Sequence, residues 1–265
     1  LFLDPMMQEL QWSKPALTLA YSLGLAAAGL TSYPLGRLID LGHGRAVMTL
    51  GSLTASALLL AWSRVESYAA FVALWIGLGA SMSAILYEPG FAVLTRRLGP
   101  LARRGVTAMT LVGGLASTVF LPLTHVLIES LGWRGALVVL AAINLAIPGA
   151  VHAVAIRPDR AARGVAAAPP APSPTSARRV LKVPAFWGFV LSQVLHNLLF
   201  TGFAVHLVPL LVERGLSLEG AVAAFALVGP AQVGARVVVA LGERRMGMRA
   251  VGLAACLLPV AAFAL

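Results

Sequence analysis

Residues 15–63 read PALTLAYSLGLAAAGLTSYPLG, then RLIDLGHGR from position 37, then AVMTLGSLTASALLLAWS from position 46. The two outer pieces carry no charged side chain. Each is close to the roughly 20 residues that cross the hydrocarbon layer of a bilayer as a helix. In lipid a lone span of this kind satisfies its own backbone hydrogen bonds only as a helix. The joint places Arg37, Asp40 and Arg45 between them, so the pattern predicts two membrane-crossing helices connected by a tight charged turn.

The same alternation runs outward along the chain. Apolar stretches cover 67–95, 105–128, 134–156, 184–211 and 218–241, and another, 250–265, runs to the last residue. Hydrophobic residues make up 59% of the chain and charged ones 11%, where a soluble domain is about one quarter charged. The mean hydropathy is +0.87. The expected fold class is all-α, a polytopic transmembrane helix bundle. The chain opens at Leu1 rather than Met and closes inside an apolar run, so it is expected to be a fragment, incomplete at both ends. Residues 1–14 are expected to form a short external loop after a helix ending near Leu3. No secretory signal peptide is visible. The lone cysteine, Cys256, lies in an apolar stretch, leaves no internal disulfide to form and reads as packing.

A net charge of +10 raises nucleic acid as a partner, and the positions of the charges argue against it. If successive loops alternate sides, one side holds Arg37, Arg45, Arg96, Arg97, Arg103, Arg104, Arg157, Arg160, Arg163, Arg178, Arg179, Lys182, Arg244, Arg245 and Arg249. That is fifteen of the 20 basic residues. The other side holds Lys14, Arg64, Arg134 and Arg214 among the acids Asp4, Glu9, Glu66, Glu129, Glu213 and Glu219. Such asymmetry follows the positive-inside rule and puts the loops at 37–45, 96–104, 157–183 and 242–249 in the cytoplasm. The excess charge is a topology signal, with some attraction to anionic lipid headgroups. The partner it implies is the lipid bilayer, and the expected location is a bacterial-type inner membrane, crossed several times.

One connection is long. Between 157 and 183 the chain is rich in Ala, Pro and Arg, a composition that cannot build a core and reads as a flexible linker. It divides an N-terminal bundle, 1–156, from the first half of a second bundle, 184–265. The halves also echo each other: GRLIDLGHGR at 36–45 and ALGERRMGMR at 240–249 occupy equivalent places in the alternation. Repeated halves are a known build for secondary transporters.

Gly36, Asp40 and Arg45 resemble the loop signature of the major facilitator superfamily, Gly-x-x-x-Asp-(Arg/Lys)-x-Gly-x-(Arg/Lys), which that family carries between its second and third helices. Leu41 stands where a basic residue is usual, and His43 where Gly is usual. The second copy keeps Arg245, Gly247 and Arg249 but has Ala240 and Arg244 at the Gly and Asp positions. Tyr87-Glu88-Pro89, Gly132-Trp133-Arg134 and the central linker extend the resemblance over the whole chain, as helices two to nine of twelve. The resemblance implies a major facilitator fold with two pseudo-symmetric halves. It also implies that Gly36, Asp40 and Arg45 help latch one conformation, through close packing at Gly36 and charge contacts of Asp40 at a helix end. The plainer reading of the same residues is that they anchor topology.

Substrate chemistry is sought among polar residues inside spans, because these are costly in lipid and face a cavity or a partner. Arg236, with Gln232 one turn along the same face, follows Ala235 in a way that resembles the monocarboxylate porter and oxalate–formate antiporter branch, whose eighth-helix arginine is implicated in binding carboxylate. A guanidinium stays charged and offers a planar fork to two oxygens. The alternative is that Arg236 snorkels to the interface or pairs structurally. Gln193, His196 and Asn197 are spaced to share one helix face, either a cavity wall or a helix–helix contact. The resemblance implies that the fourth and seventh helices line the path, and so brings in Tyr87 and these three. Glu88, beside the helix-bending Pro89, is either a proton-coupling carboxyl or half of an ion pair with an arginine. Asn144 reads as a helix–helix hydrogen bond, and Gly24, Gly29, Gly113 and Gly114 as close-packing positions.

No phosphate-binding glycine loop, His-Glu-x-x-His or cysteine pair is present. No cofactor, metal or enzymatic activity is expected. The expected function is secondary active transport of a small organic anion, monocarboxylate-like, by alternating access, through proton symport or anion exchange. The alternatives are an efflux pump for amphipathic compounds and, from another class, a non-transporting membrane sensor or scaffold.

Overall fold

The interruptions in the apolar pattern become helix ends. The computed structural model describes residues 1–156, 179–217, 220–221, 224–225, 227–242, 250, 252–254, 257–258 and 261. The linker over 157–178, Glu219, Cys256 and the second-loop residues Arg244, Arg245, Gly247 and Arg249 lie outside them. Among the described residues there is no strand. The chain falls into two units, one of Leu1–Val106 with Thr118–Ala171, the other of Thr107–Ser117 with Pro172–Leu265. The expected N-terminal bundle thus lends the stretch from Thr107 to Ser117 to the C-terminal unit.

Residues 1–14 are more ordered than a loop. Helix α1 (Leu3–Leu10) carries Asp4 in its first turn and ends at Gln11 in a left-handed conformation (φ 56°). It buries Met6 to 1% exposure, against an aromatic core that includes Trp62 and Phe71. Helix α2 (Lys14–Leu38) begins with Pro15 in its first turn, and the Ser13 hydroxyl accepts from the Ala16 amide at 3.4 Å. This arrangement satisfies one of the amides a helix start leaves unpaired. The chain reverses through Ile39–His43 at Gly42, whose φ of 95° suits only glycine without strain. Helix α3 (Gly44–Trp62) follows, then α4 (Tyr68–Ile85), capped by Ser67 in the same way as α2.

The span expected over 67–95 is two helices, because Pro89 cannot donate to the Ile85 carbonyl and its ring crowds that group. The backbone breaks at Leu86 (ψ −155°), and α5 (Tyr87–Leu98) starts anew. Next come α6 (Ala102–Gly114) and α7 (Ala116–Asn144), which turns a corner at Gly132 (φ 69°, ψ 168°). A wider turn at Leu145–Gly149, containing Pro148, leads to α8 (Ala150–Ala155). In the second unit are α9 (Pro184–Glu213) and α10 (Val228–Gly242).

Three devices hold the first unit. Helices α2 and α4 meet glycine to glycine: a Cβ on Gly24 would lie 2.6 Å from the Trp75 carbonyl oxygen, and one on Gly79 would collide with the Gly24 backbone. Gly29, also expected to be a close-packing position, has nothing within 4 Å among the described residues. A polar seam joins α3 to the far half of α7. The Asn144 amide donates to the Ser52 carbonyl at 3.0 Å and to the Ser56 hydroxyl at 2.9 Å. On the side expected to be external, Arg134 closes a clasp. Its Nε donates to Glu9 Oε1 at 2.8 Å, and Nη1 and Nη2 donate to the carbonyls of Ser63 and Val65 at 2.9 and 3.0 Å. Its guanidinium lies 4.3 Å from the Trp133 ring centroid, and the Trp133 indole N–H donates to Glu9 Oε2 at 2.5 Å. Outward-facing apolar side chains such as Leu30 and Val154, each 80% exposed, suit a hydrocarbon surround and would be costly in water.

Candidate functional site

The first-loop residues come together only in part. Asp40 is exposed and Arg45 is exposed, and no ion pair joins them among the described residues. The Asp40 group that does make a contact is its backbone carbonyl, which accepts from Arg96 Nη1 at 2.5 Å. Arg45, Arg96 and Arg97 line one small pocket with Gly42 and Gly44. Among the described residues a Cβ at Gly36 would meet nothing within 4 Å, whereas a close approach falls at Gly44, where a Cβ would lie 2.7 Å from Val93 Cγ2.

Tyr87 and Glu88 occupy the first turn of α5 because the helix restarts at Leu86. A carboxylate there faces the positive end of the helix dipole, which by itself accounts for an acid at this place. Glu88 is exposed and no arginine pairs with it among the described residues. Tyr87 is half-buried and stacks on Phe91, ring centroids 5.5 Å apart. On α9, Gln193, His196 and Asn197 are all exposed, and the Asn197 amide turns back to the Gln193 carbonyl at 2.9 Å.

Arg236 has the most developed environment. It is half-buried in α10, flanked by apolar residues. Its Nη1 donates to the backbone carbonyl of Thr110 at 2.6 Å, near the C-terminal end of α6. A helix C-terminus carries partial negative charge, so a guanidinium is well placed there. Among the described residues the rest of the guanidinium, including its Nε–Nη2 edge, has no acceptor, and no hydrogen bond joins Arg236 or half-buried Gln232 to His196. Such an edge matches the two oxygens of one carboxylate.

Two features escaped the sequence reading. His152 in α8 shares a hydrogen bond of 2.8 Å between Nδ1 and the Ser52 hydroxyl, extending the Asn144 seam. Its only signal was a histidine in an apolar run. The Thr110 carbonyl beneath Arg236 had no signal, since every residue has one. Among the described residues no cluster of His, Cys, Asp or Glu is suited to hold a metal ion.

Comparison with known proteins agrees with this architecture. The family model described as Major Facilitator Superfamily matches residues 1–265. Monocarboxylate transporter 11 of Homo sapiens is 31% identical over 228 residues, covering 82% of this chain and 46% of that protein. The chain therefore spans about half the length of the curated relative it matches.

Proposed function

We propose a function from the premise that this chain belongs to the major facilitator superfamily. Membership makes it a multi-pass helical membrane protein of a transporter family and not an enzyme. Beyond that, our reading is that the protein carries a small organic anion of the monocarboxylate type by alternating access. Two helical halves, 1–156 and 184 onward, with Thr107–Ser117 moving with the second, alternate around the linker at 157–183. Arg236 takes the carboxylate on its Nε–Nη2 edge, Gln232 and His196 assist, and Gln193, Asn197 and Tyr87 line the path. Movement is driven by proton symport, with Glu88 as the coupling carboxyl, or by anion exchange. Gly36, Asp40 and Arg45 belong to the latch at the cytoplasmic mouth. The host membrane is a bacterial inner membrane with the arginine-rich loops inside.

The observation that carries this reading is Arg236: a charged fork kept inside an apolar helix, with one nitrogen held by the Thr110 carbonyl and an edge without a protein acceptor among the described residues. Intramembrane charge on these terms is costly unless it serves a partner. The similarity to a monocarboxylate transporter adds to it. The test is uptake by proteoliposomes containing the full-length protein, offered radiolabelled lactate or pyruvate. Saturable uptake, competed by other short monocarboxylates and not by amphipathic cations, is expected. Competition by amphipathic cations alone moves the efflux reading to the front, and no saturable flux of either class favours a sensor or scaffold.

A further inference from the structure

We infer that Gly114 positions the Arg236 guanidinium, setting which edge of the fork is offered to a carboxylate; this rests on the reading of Arg236 as the anion site. Gly114 closes α6 one turn beyond Thr110, and Arg236 lies directly over it. A Cβ built on Gly114 would fall inside van der Waals contact of Arg236 Nη1, at 3.5 Å from Arg236 Cζ and 3.5 Å from Val233 Cγ2. The absent side chain is the space the guanidinium occupies. Thr110 supplies the acceptor and Gly114 the floor, and together they commit Nη1 to α6.

A methyl group at position 114 has to displace something. The guanidinium is the end of a flexible stem, while Val233 Cγ2 is at ordinary contact distance. Arg236 therefore swings off the Thr110 carbonyl while α6, which gains helix propensity from alanine, keeps its course. The fold survives and the fork turns. One committed nitrogen and one open edge also suit a single carboxylate better than two.

The experiment measures carboxylate uptake by the full-length protein and three variants, Gly114→Ala, Arg236→Ala and the double variant, at equal membrane abundance. In parallel, mass spectrometry follows modification of Arg236 by phenylglyoxal in the wild type and Gly114→Ala. Gly114→Ala is expected to raise KM about tenfold with kcat within about twofold, and to add nothing in the Arg236→Ala background, because both changes act on one group. Phenylglyoxal is expected to modify Arg236 several-fold faster once its hydrogen bond to Thr110 is lost. If Arg236→Ala raises KM while Gly114→Ala does not, or if the two effects multiply in the double variant, Gly114 is mere packing and the inference is overturned. If Arg236→Ala leaves KM unchanged, the anion-site reading fails, and the phenylglyoxal rates decide the positioning alone: faster modification in Gly114→Ala supports it, and equal rates overturn it.

Discussion

Replacing Arg134 with alanine dismantles the clasp on the side expected to be external. Its Nε bond to Glu9 is partly open to water, the side chains being 31% and 48% exposed, and a pair of that kind contributes about 0.5 kcal/mol. The two bonds to the Ser63 and Val65 carbonyls, at 2.9 and 3.0 Å, contribute about 1 kcal/mol each. Stacking over Trp133 adds about 0.5 kcal/mol. The loss is then about 3 kcal/mol, which at 2–4 °C per kcal/mol lowers the midpoint of thermal unfolding by roughly 6–12 °C. Trp12, Trp62, Trp75 and Trp133 all lie in the first unit and only Trp187 in the second, of 5 in the chain. Tryptophan fluorescence of detergent-purified protein therefore reports on the affected unit. Arg134→Lys is expected to recover less than half, since one ammonium cannot reach three acceptors that a planar fork spans. A shift below 2 °C for Arg134→Ala, or full recovery by lysine, would mean that the clasp does not hold the first unit together.

The Arg134 guanidinium first, and then the Trp133 indole, hold the Glu9 carboxyl below the usual carboxylate range. A depressed folded-state pKa means the contribution is present above the unfolded value near 4.3 and is lost as pH falls through the folded value. Acidifying from pH 6 to 3 should therefore destabilise the wild type more than Glu9→Gln in the same fluorescence assay. Gly79→Ala drives a Cβ into the Gly24 backbone, where nothing can swing aside, and is expected to cost about 3 kcal/mol or more; size-exclusion chromatography should show aggregation, while Gly29→Ala behaves as wild type. Asn144→Ala removes two bonds across the seam, and at about 0.6 kcal/mol each in a membrane protein the midpoint should fall by roughly 2–5 °C.

Much of this architecture was legible because its signals are local. Apolar runs of membrane length, the charged turn at 37–45 and the bend signalled by Pro89 each follow from a few consecutive residues. Helix α1 was missed because eight residues carrying Asp4 and Glu9 do not look like a buried element, and its reason to fold is Trp133 and Arg134, far along the chain. Pro89 signalled a bend, but the break falls at Leu86, because a proline disturbs the carbonyl four residues earlier. At the candidate site the sequence marked Arg236 by its charge among apolar neighbours. It could not mark the Thr110 carbonyl, 126 residues away, since main-chain acceptors leave no trace in residue identity. Gly114 was read as packing between helices, whereas what it accommodates is one guanidinium.

Arg236 is the proposed anion site of a carrier. Its most direct test is accumulation of a radiolabelled short-chain carboxylate by cells expressing the full-length protein, beside Arg236→Ala and Arg236→Lys at equal membrane abundance. Saturable accumulation whose KM both substitutions raise about tenfold or more is the expected result, lysine falling short because a point charge does not replace a fork. A KM that both substitutions leave unchanged, or no carboxylate uptake by the wild type, would contradict it.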